Sequence, residues 1–140
     1  MASNAGTPVR LDTRYDWVGP PDRISRIRPI KLRRVDNETD TERDYRMARE
    51  ELNDWNCRFW TEHNNLFERR RADFVTERKK KLSRIEHVSA NDMSEFYRSF
   101  LNEQYANLSA YNRQWYRRNF TLIWPAIKVN LIRFGRLLRR

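Results

Sequence analysis

Cys57, His63 and His87 are the residues best suited to soft-metal ligation or nucleophilic chemistry in this 140-residue chain. A zinc site needs three or four such donors at short, repeating spacings. Cys57 and His63 lie six positions apart, which puts them on different sides of a helix, and His87 has no partner at ligand spacing. Packed or solvent-facing roles are therefore expected, with a metal or haem chaperone using Cys57 and His63 as a third possibility. With 3 glycines the chain holds no phosphate-cradling loop, nucleophile elbow or dinucleotide fingerprint. The carboxylates crowded into 36–54 alternate with arginines and read as helix surface. The chain reads as non-enzymatic, with no catalytic residue, metal or cofactor.

The remaining chemistry is binding chemistry. The formal net charge is +10, from 29 basic and 19 acidic residues. Eight of the basic residues follow Gln104, where no acid occurs, so the first 103 residues hold 21 basic against 19 acidic ones. The excess charge is thus C-terminal and calls for an anionic partner: lipid headgroup, RNA or acidic protein. A second acid-free cluster runs from Arg23 to Arg34.

The C-terminal stretch "WYRRNFTLIWPAIKVNLIRF" (115–134) concentrates that charge beside apolar residues. A bilayer span needs about 20 largely apolar residues. Residues 120–134 are fewer and include Lys128 and Asn130, so no crossing is expected. At about 100° per residue, Phe120, Ile123, Trp124, Ile127, Leu131, Phe134 and Leu138 share one face. Thr121, Lys128, Arg136 and Arg139 lie opposite, with Arg133 toward the edge. Such a basic amphipathic helix suits a membrane–water interface. Trp124, Ile127, Leu131 and Phe134 would enter it, while Arg113, Arg117, Arg118, Lys128, Arg133 and Arg136 would meet anionic headgroups. The competing expectation is that the apolar face packs on another helix and the arginines are merely solvated. "YNRQWYRRNF" also interleaves aromatics with arginines as an RNA-binding surface would. Tyr111 and Trp115, however, share a face with Leu108, so they read as core and no specific nucleic acid is expected.

The elements that must carry these residues are helical. Few glycines and many Glu, Arg, Leu and Ala favour long helices. Residues 1–38 read as an extended arm, because Gly19, Pro20, Pro21 and Pro29 interrupt any helix and no partner is visible for a short strand. At "TDTE", Thr39 and Glu42 can form a capping box. Tyr45, Ala48, Leu52, Trp55 and Phe59 then recur at helical spacing, continuing through Leu66, Phe67, Phe74 and Val75. A helix over 40–82, about 60 Å long, follows. A second is expected over 92–140, capped by Asn91 or Ser89 and bent near 121–125 by Pro125. Its stripe is Met93, Phe96, Tyr97, Phe100, Leu101, Leu108, Tyr111 and Trp115. The fold class is all-α: two long antiparallel helices, an extended N-terminal arm and a basic amphipathic C-terminal helix.

Three stretches in this order resemble one family: "DWVGPPD" with Arg28 and Pro29, "WNCRFW" with "FERRRADFV", and "EFYRSFL" with "YNRQWYRRNF". The chain is similar over residues 16 to about 134 to the cytochrome c oxidase assembly factor 8 family, also called mitochondrial apoptogenic protein 1. The resemblance implies a mitochondrial protein, peripheral on the matrix face of the inner membrane. It implies support of complex IV assembly, with protection of that complex under oxidative stress, and no active site. It also implies an uninterrupted apolar C-terminal helix, from which Pro125 departs, and a cleavable presequence. "MASNAGTPVRLDTR" is compatible with the end of one, and the short stretch before Asp16 suggests a mature form or a short precursor. The expected partners are a complex IV subunit or assembly intermediate and an anionic lipid such as cardiolipin. The expected partner-binding residues are Asp16, Trp17, Gly19, Pro20, Pro21, Asp22, Trp55, Trp60, Trp115 and Tyr116. A basic RNA- or mitoribosome-associated protein is the alternative.

Overall fold

The computed structural model describes residues 10–140. Residues 1–9, part of the stretch read as a presequence remnant, lie outside the described residues. Helices α1 (Asp40–Lys81) and α2 (Ala90–Leu138) form the expected hairpin, preceded by two short strands, β1 (Trp17–Val18) and β2 (Ile30–Lys31).

Each helix starts at a reciprocal cap. Thr39 Oγ1 accepts from the Glu42 N–H while the Glu42 carboxylate accepts from the Thr39 N–H, satisfying two donors that an α-helix leaves unpaired. Ser89 and Asp92 repeat the arrangement, so α2 begins at Ala90 rather than near 92. Arg78, Lys79, Lys80 and Lys81 fill the last turn of α1, where the helix dipole favours cations. Arg78 then binds Asp92 across the loop. Arg70 reaches Glu103 at 2.8 Å in the next turns.

The helices pair along one seam. Phe74 stacks on Phe96, Phe67 meets Phe100 edge-on, and Tyr111 lies between Trp55 and Phe59 at centroid distances of 5.0 and 4.0 Å. Along α2 the inward positions are Gln104, Leu108, Tyr111, Arg118, Leu122, Pro125, Val129, Ile132 and Arg136. Apart from the seven residues between Tyr111 and Arg118, their alternating four- and three-residue steps are those of a coiled-coil seam. Two helices side by side fully enclose only a line of side chains. Among the described residues the buried apolar set is Phe96, Phe100, Tyr111 and Val129. Tyr97, Leu101 and Trp115, expected on the packed stripe, lie outside it at 40, 56 and 36% exposure. α2 continues through Pro125, held to α1 on either side of it by Leu122 and Val129.

The arm departs from expectation, because its strand does have a partner. Asp22 makes the turn: its N–H donates to the Ile27 carbonyl at 3.0 Å and its Oδ1 accepts from the Ile24 and Ser25 N–H groups. Arg26 takes a φ of 63°, and the Gly19 N–H donates to Pro29, bringing Trp17 opposite Lys31 and Val18 opposite Ile30. Strands of two residues are too short to show a period-two pattern, so sequence periodicity cannot reveal them. α1 takes up backbone groups that β1 leaves free. Asn53 accepts from Ile30 and donates to the Arg28 carbonyl, Glu50 accepts from Leu32, and Asn64 donates to the Ile24 carbonyl.

The open end of the hairpin is closed by an ion pair whose carboxylate is buried. Both Arg136 terminal nitrogens reach the Glu42 carboxylate at 2.6 Å, and Nη2 also donates to the Asn37 carbonyl at 2.7 Å. Glu42 is 3% exposed, and Arg46 beside it binds Glu38 at 2.8 Å. The Arg136 bonds, with the Thr39 cap bonds behind them, lower the Glu42 pKa from 4.5 to about 2. A depressed carboxylate contributes stability fully above its unfolded pKa and loses it as pH falls toward its folded one. Glu42→Gln is therefore expected to cost about 2–3 kcal/mol at neutral pH. It should also flatten the fall in melting temperature between pH 4.5 and about 2. Thermal melts followed by circular dichroism check this, and a variant with the wild-type pH slope would refute the coupling.

Candidate functional site

The C-terminal half of α2 uses one side to meet α1 and leaves the other uncovered. The inward side is Leu122, Pro125, Val129 and Ile132. The opposite side is the apolar face of the sequence projection. Phe120, Ile123, Trp124, Ile127, Leu131, Phe134 and Leu138 are 44 to 73% exposed, continuous with Tyr116 at 57%. The expectation that this face packs on the first helix is thus corrected, because the smaller Val129 seam occupies that contact. From Tyr116 to Leu138 the outward stripe is about 33 Å long at 1.5 Å per residue. Among the described residues, no helix is long and apolar enough to cross a membrane.

The basic residues around this face divide by what they touch. Arg113, Arg117, Lys128 and Arg133 are exposed, and Lys128 lies 5.5 Å from the Trp124 ring centroid. Arg118 instead stacks on Trp55 at 4.5 Å, a cation–π contact on the interhelical seam. Arg136 is committed to Glu42. Neither commitment has a sequence signature, since each joins residues at least sixty positions apart.

The aromatic and arm residues also separate. Trp60 Nε1–H donates to the Tyr111 hydroxyl at 3.0 Å, which donates in turn to Asn56. With Trp55 stacked on Tyr111, both tryptophans join the helices together, whereas Trp115 and Tyr116 face outward. In the arm, Asp16 accepts the Arg33 N–H at 2.7 Å and Asp22 supports the turn. Trp17 is half-buried over Gly19, while Pro20 and Pro21 are exposed.

Cys57 and His63 face different neighbours. Cys57 Sγ lies 3.3 Å from Ser25 Oγ under the arm. His63 packs among Phe59, Trp60 and Phe100, and its burial lowers its pKa. No group of three or more metal-capable side chains occurs among the described residues. An open groove of about 440 Å³ between the helices is lined by Trp55, Phe59, His63, Tyr111 and the amides of Gln104, Asn107 and Gln114.

Gly19 has no room for a side chain. A Cβ there would sit 2.5 Å from the Trp17 ring and 2.8 Å from Pro29. Gly19→Ala is expected to cost about 1–3 kcal/mol by overpacking. It should open the 23–28 turn to limited proteolysis while leaving helical circular dichroism unchanged. Wild-type protection of that turn would contradict this.

The family profile described as cytochrome c oxidase assembly factor 8 matches residues 15–135. A COA8 family protein of Caenorhabditis elegans, named as mitochondrial, is 60% identical over 99% of this chain and 97% of its own length. A Drosophila melanogaster COA8 family protein, also named as mitochondrial, is 39% identical over 96% of this chain and 77% of its own. Cytochrome c oxidase assembly factor 8 of Bos taurus is 36% identical over 91% and 70%, respectively. No solved structure matches. With the profile covering nearly all the described residues, the chain belongs to the cytochrome c oxidase assembly factor 8 family.

Proposed function

We propose that this chain is a non-enzymatic mitochondrial factor that supports assembly of cytochrome c oxidase, complex IV, and guards it from oxidative damage. It works at the matrix face of the inner membrane, as a peripheral protein. The outward stripe of α2 lies in the interface of an anionic, cardiolipin-rich leaflet, with Trp124, Ile127, Leu131 and Phe134 inserted. Arg113, Arg117, Lys128 and Arg133 meet headgroups from its flanks. Arg118 and Arg136, expected among the headgroup ligands, instead hold the hairpin together. The exposed Pro20, Pro21, Trp115 and Tyr116 are left to engage a complex IV subunit or assembly intermediate.

The observation that carries this reading is the uncovered apolar stripe on a helix whose other side is already packed. A contiguous apolar surface rimmed by basic residues marks an interaction site. Each basic group near an anionic leaflet contributes about 1 kcal/mol.

Arg113→Gln, Arg117→Gln and Lys128→Gln together should weaken flotation of the full chain with cardiolipin vesicles by about 100-fold. Neutral phosphatidylcholine vesicles serve as the control. Flotation that survives the triple change would remove the electrostatic part. The exposed Tyr116 and Phe120, stacked at 6.4 Å beside Arg117, favour RNA as the second reading. Crosslinking in mitochondria separates the two: the assembly reading recovers oxidase subunits, and a specific RNA in their place would overturn it.

A further inference from the structure

Where the arm, α1 and α2 meet, the fold builds a cleft of about 320 Å³ lined by five arginines: Arg14, Arg33, Arg46, Arg49 and Arg133. Two of them are neutralised by neighbours. Arg14 binds Asp12 at 2.7 Å and Arg46 binds Glu38 at 2.8 Å. Arg33, Arg49 and Arg133 have no carboxylate partner among the described residues, and their guanidinium groups make no hydrogen bond there. One acid, Asp16, lines the cleft, and its Oδ1 already accepts the Arg33 backbone N–H at 2.7 Å.

Several tertiary arginines, Arg46 of this cleft among them, are neutralised instead. Arg46, Arg70, Arg78 and Arg136 each meet a carboxylate where two segments join. Gathering three unpaired guanidinium groups, all on exposed residues, from three segments raises the local positive potential and favours an anion there. Two of the three sit on anchored segments. The arm's Arg34 N–H donates to the Thr13 carbonyl at 2.8 Å, Leu32 is bound to Glu50, and Arg49 lies against the Tyr45 ring at 5.8 Å. Planar guanidinium forks match phosphate oxygens two at a time.

We propose that this cleft is a binding site for a phosphate ester, with Arg33, Arg49 and Arg133 as its ligands. The phosphate belongs to a lipid headgroup or to a soluble phosphorylated molecule. The site stands independently of the assembly role, and two of its ligands, Arg33 and Arg49, lie off the C-terminal helix altogether.

The test uses the full chain, inorganic pyrophosphate and vesicles of cardiolipin or of phosphatidylcholine alone. Pyrophosphate is expected to raise the melting temperature above that in sodium chloride of matched ionic strength. The double variant R33Q/R49Q should lose that rise. In phosphate-free, low-salt buffer the variant should melt at or above the wild-type temperature, because two repelling charges are gone. R49K, which keeps the charge but not the fork, should give an intermediate rise. Cardiolipin-vesicle binding that falls at least a hundredfold in R33Q/R49Q, beyond the about 30-fold that losing two surface charges gives, assigns the site to a lipid headgroup, with or without a response to pyrophosphate. A lost pyrophosphate response with unchanged vesicle binding assigns it to a soluble phosphate. An equal pyrophosphate response in variant and wild type, or no response together with vesicle binding indifferent to both arginines, overturns the site.

Discussion

Glu42 ties together three parts of the chain at the open end of the hairpin. Its carboxylate closes the N-terminal cap of α1 and receives the Arg136 guanidinium from the far end of α2. Arg136 in turn donates to the Asn37 carbonyl, where the arm joins the helix. A hairpin of two long helices has little to prevent its open end from splaying, because only a narrow line of side chains is enclosed. A buried carboxylate left without its cation would be costly, so the pair constrains position as much as it stabilises. With Arg136 held inward, the helical repeat directs Phe134 and Leu138 outward and leaves Arg133 on the flank facing the arm.

The same geometry explains how one helix serves two surfaces. The inward seam of α2 advances in alternating three- and four-residue steps through Leu122, Val129 and Arg136, and the outward stripe follows the same steps on the other side. In the C-terminal half of α2, aliphatic residues and a proline occupy the inward line, so the large aromatics there are left outward. The arm adds little apolar cover to α2, since its backbone is bound by Glu50, Asn53 and Asn64 of α1. The C-terminal stripe therefore stays uncovered by the protein's own chain.

Much of the architecture is legible in the sequence. Both capping boxes are local patterns, and the aromatic spacing of Phe59, Phe67, Phe74, Phe96 and Phe100 marks the packed faces near the loop. The arm was only partly legible. Its prolines announced an extended chain, but its strand pairing rests on Asp22 and a positive φ at Arg26, neither of which periodicity records. The candidate surface was legible as an amphipathic helix. Its orientation was not, because the projection of an isolated helix names its faces without saying which one a neighbour covers.

The sequence by itself determined the class, the hairpin and the asymmetric charge, because caps, helical spacing and the absence of acids after Glu103 act over a few residues. Only the tertiary structure decided which arginines are free. Arg118 on Trp55, Arg136 on Glu42, and Arg33, Arg49 and Arg133 around one cleft are meetings of segments far apart in the chain. Identical side chains thus become strut, latch or exposed cation, since what each guanidinium does is set by the group the fold places opposite it.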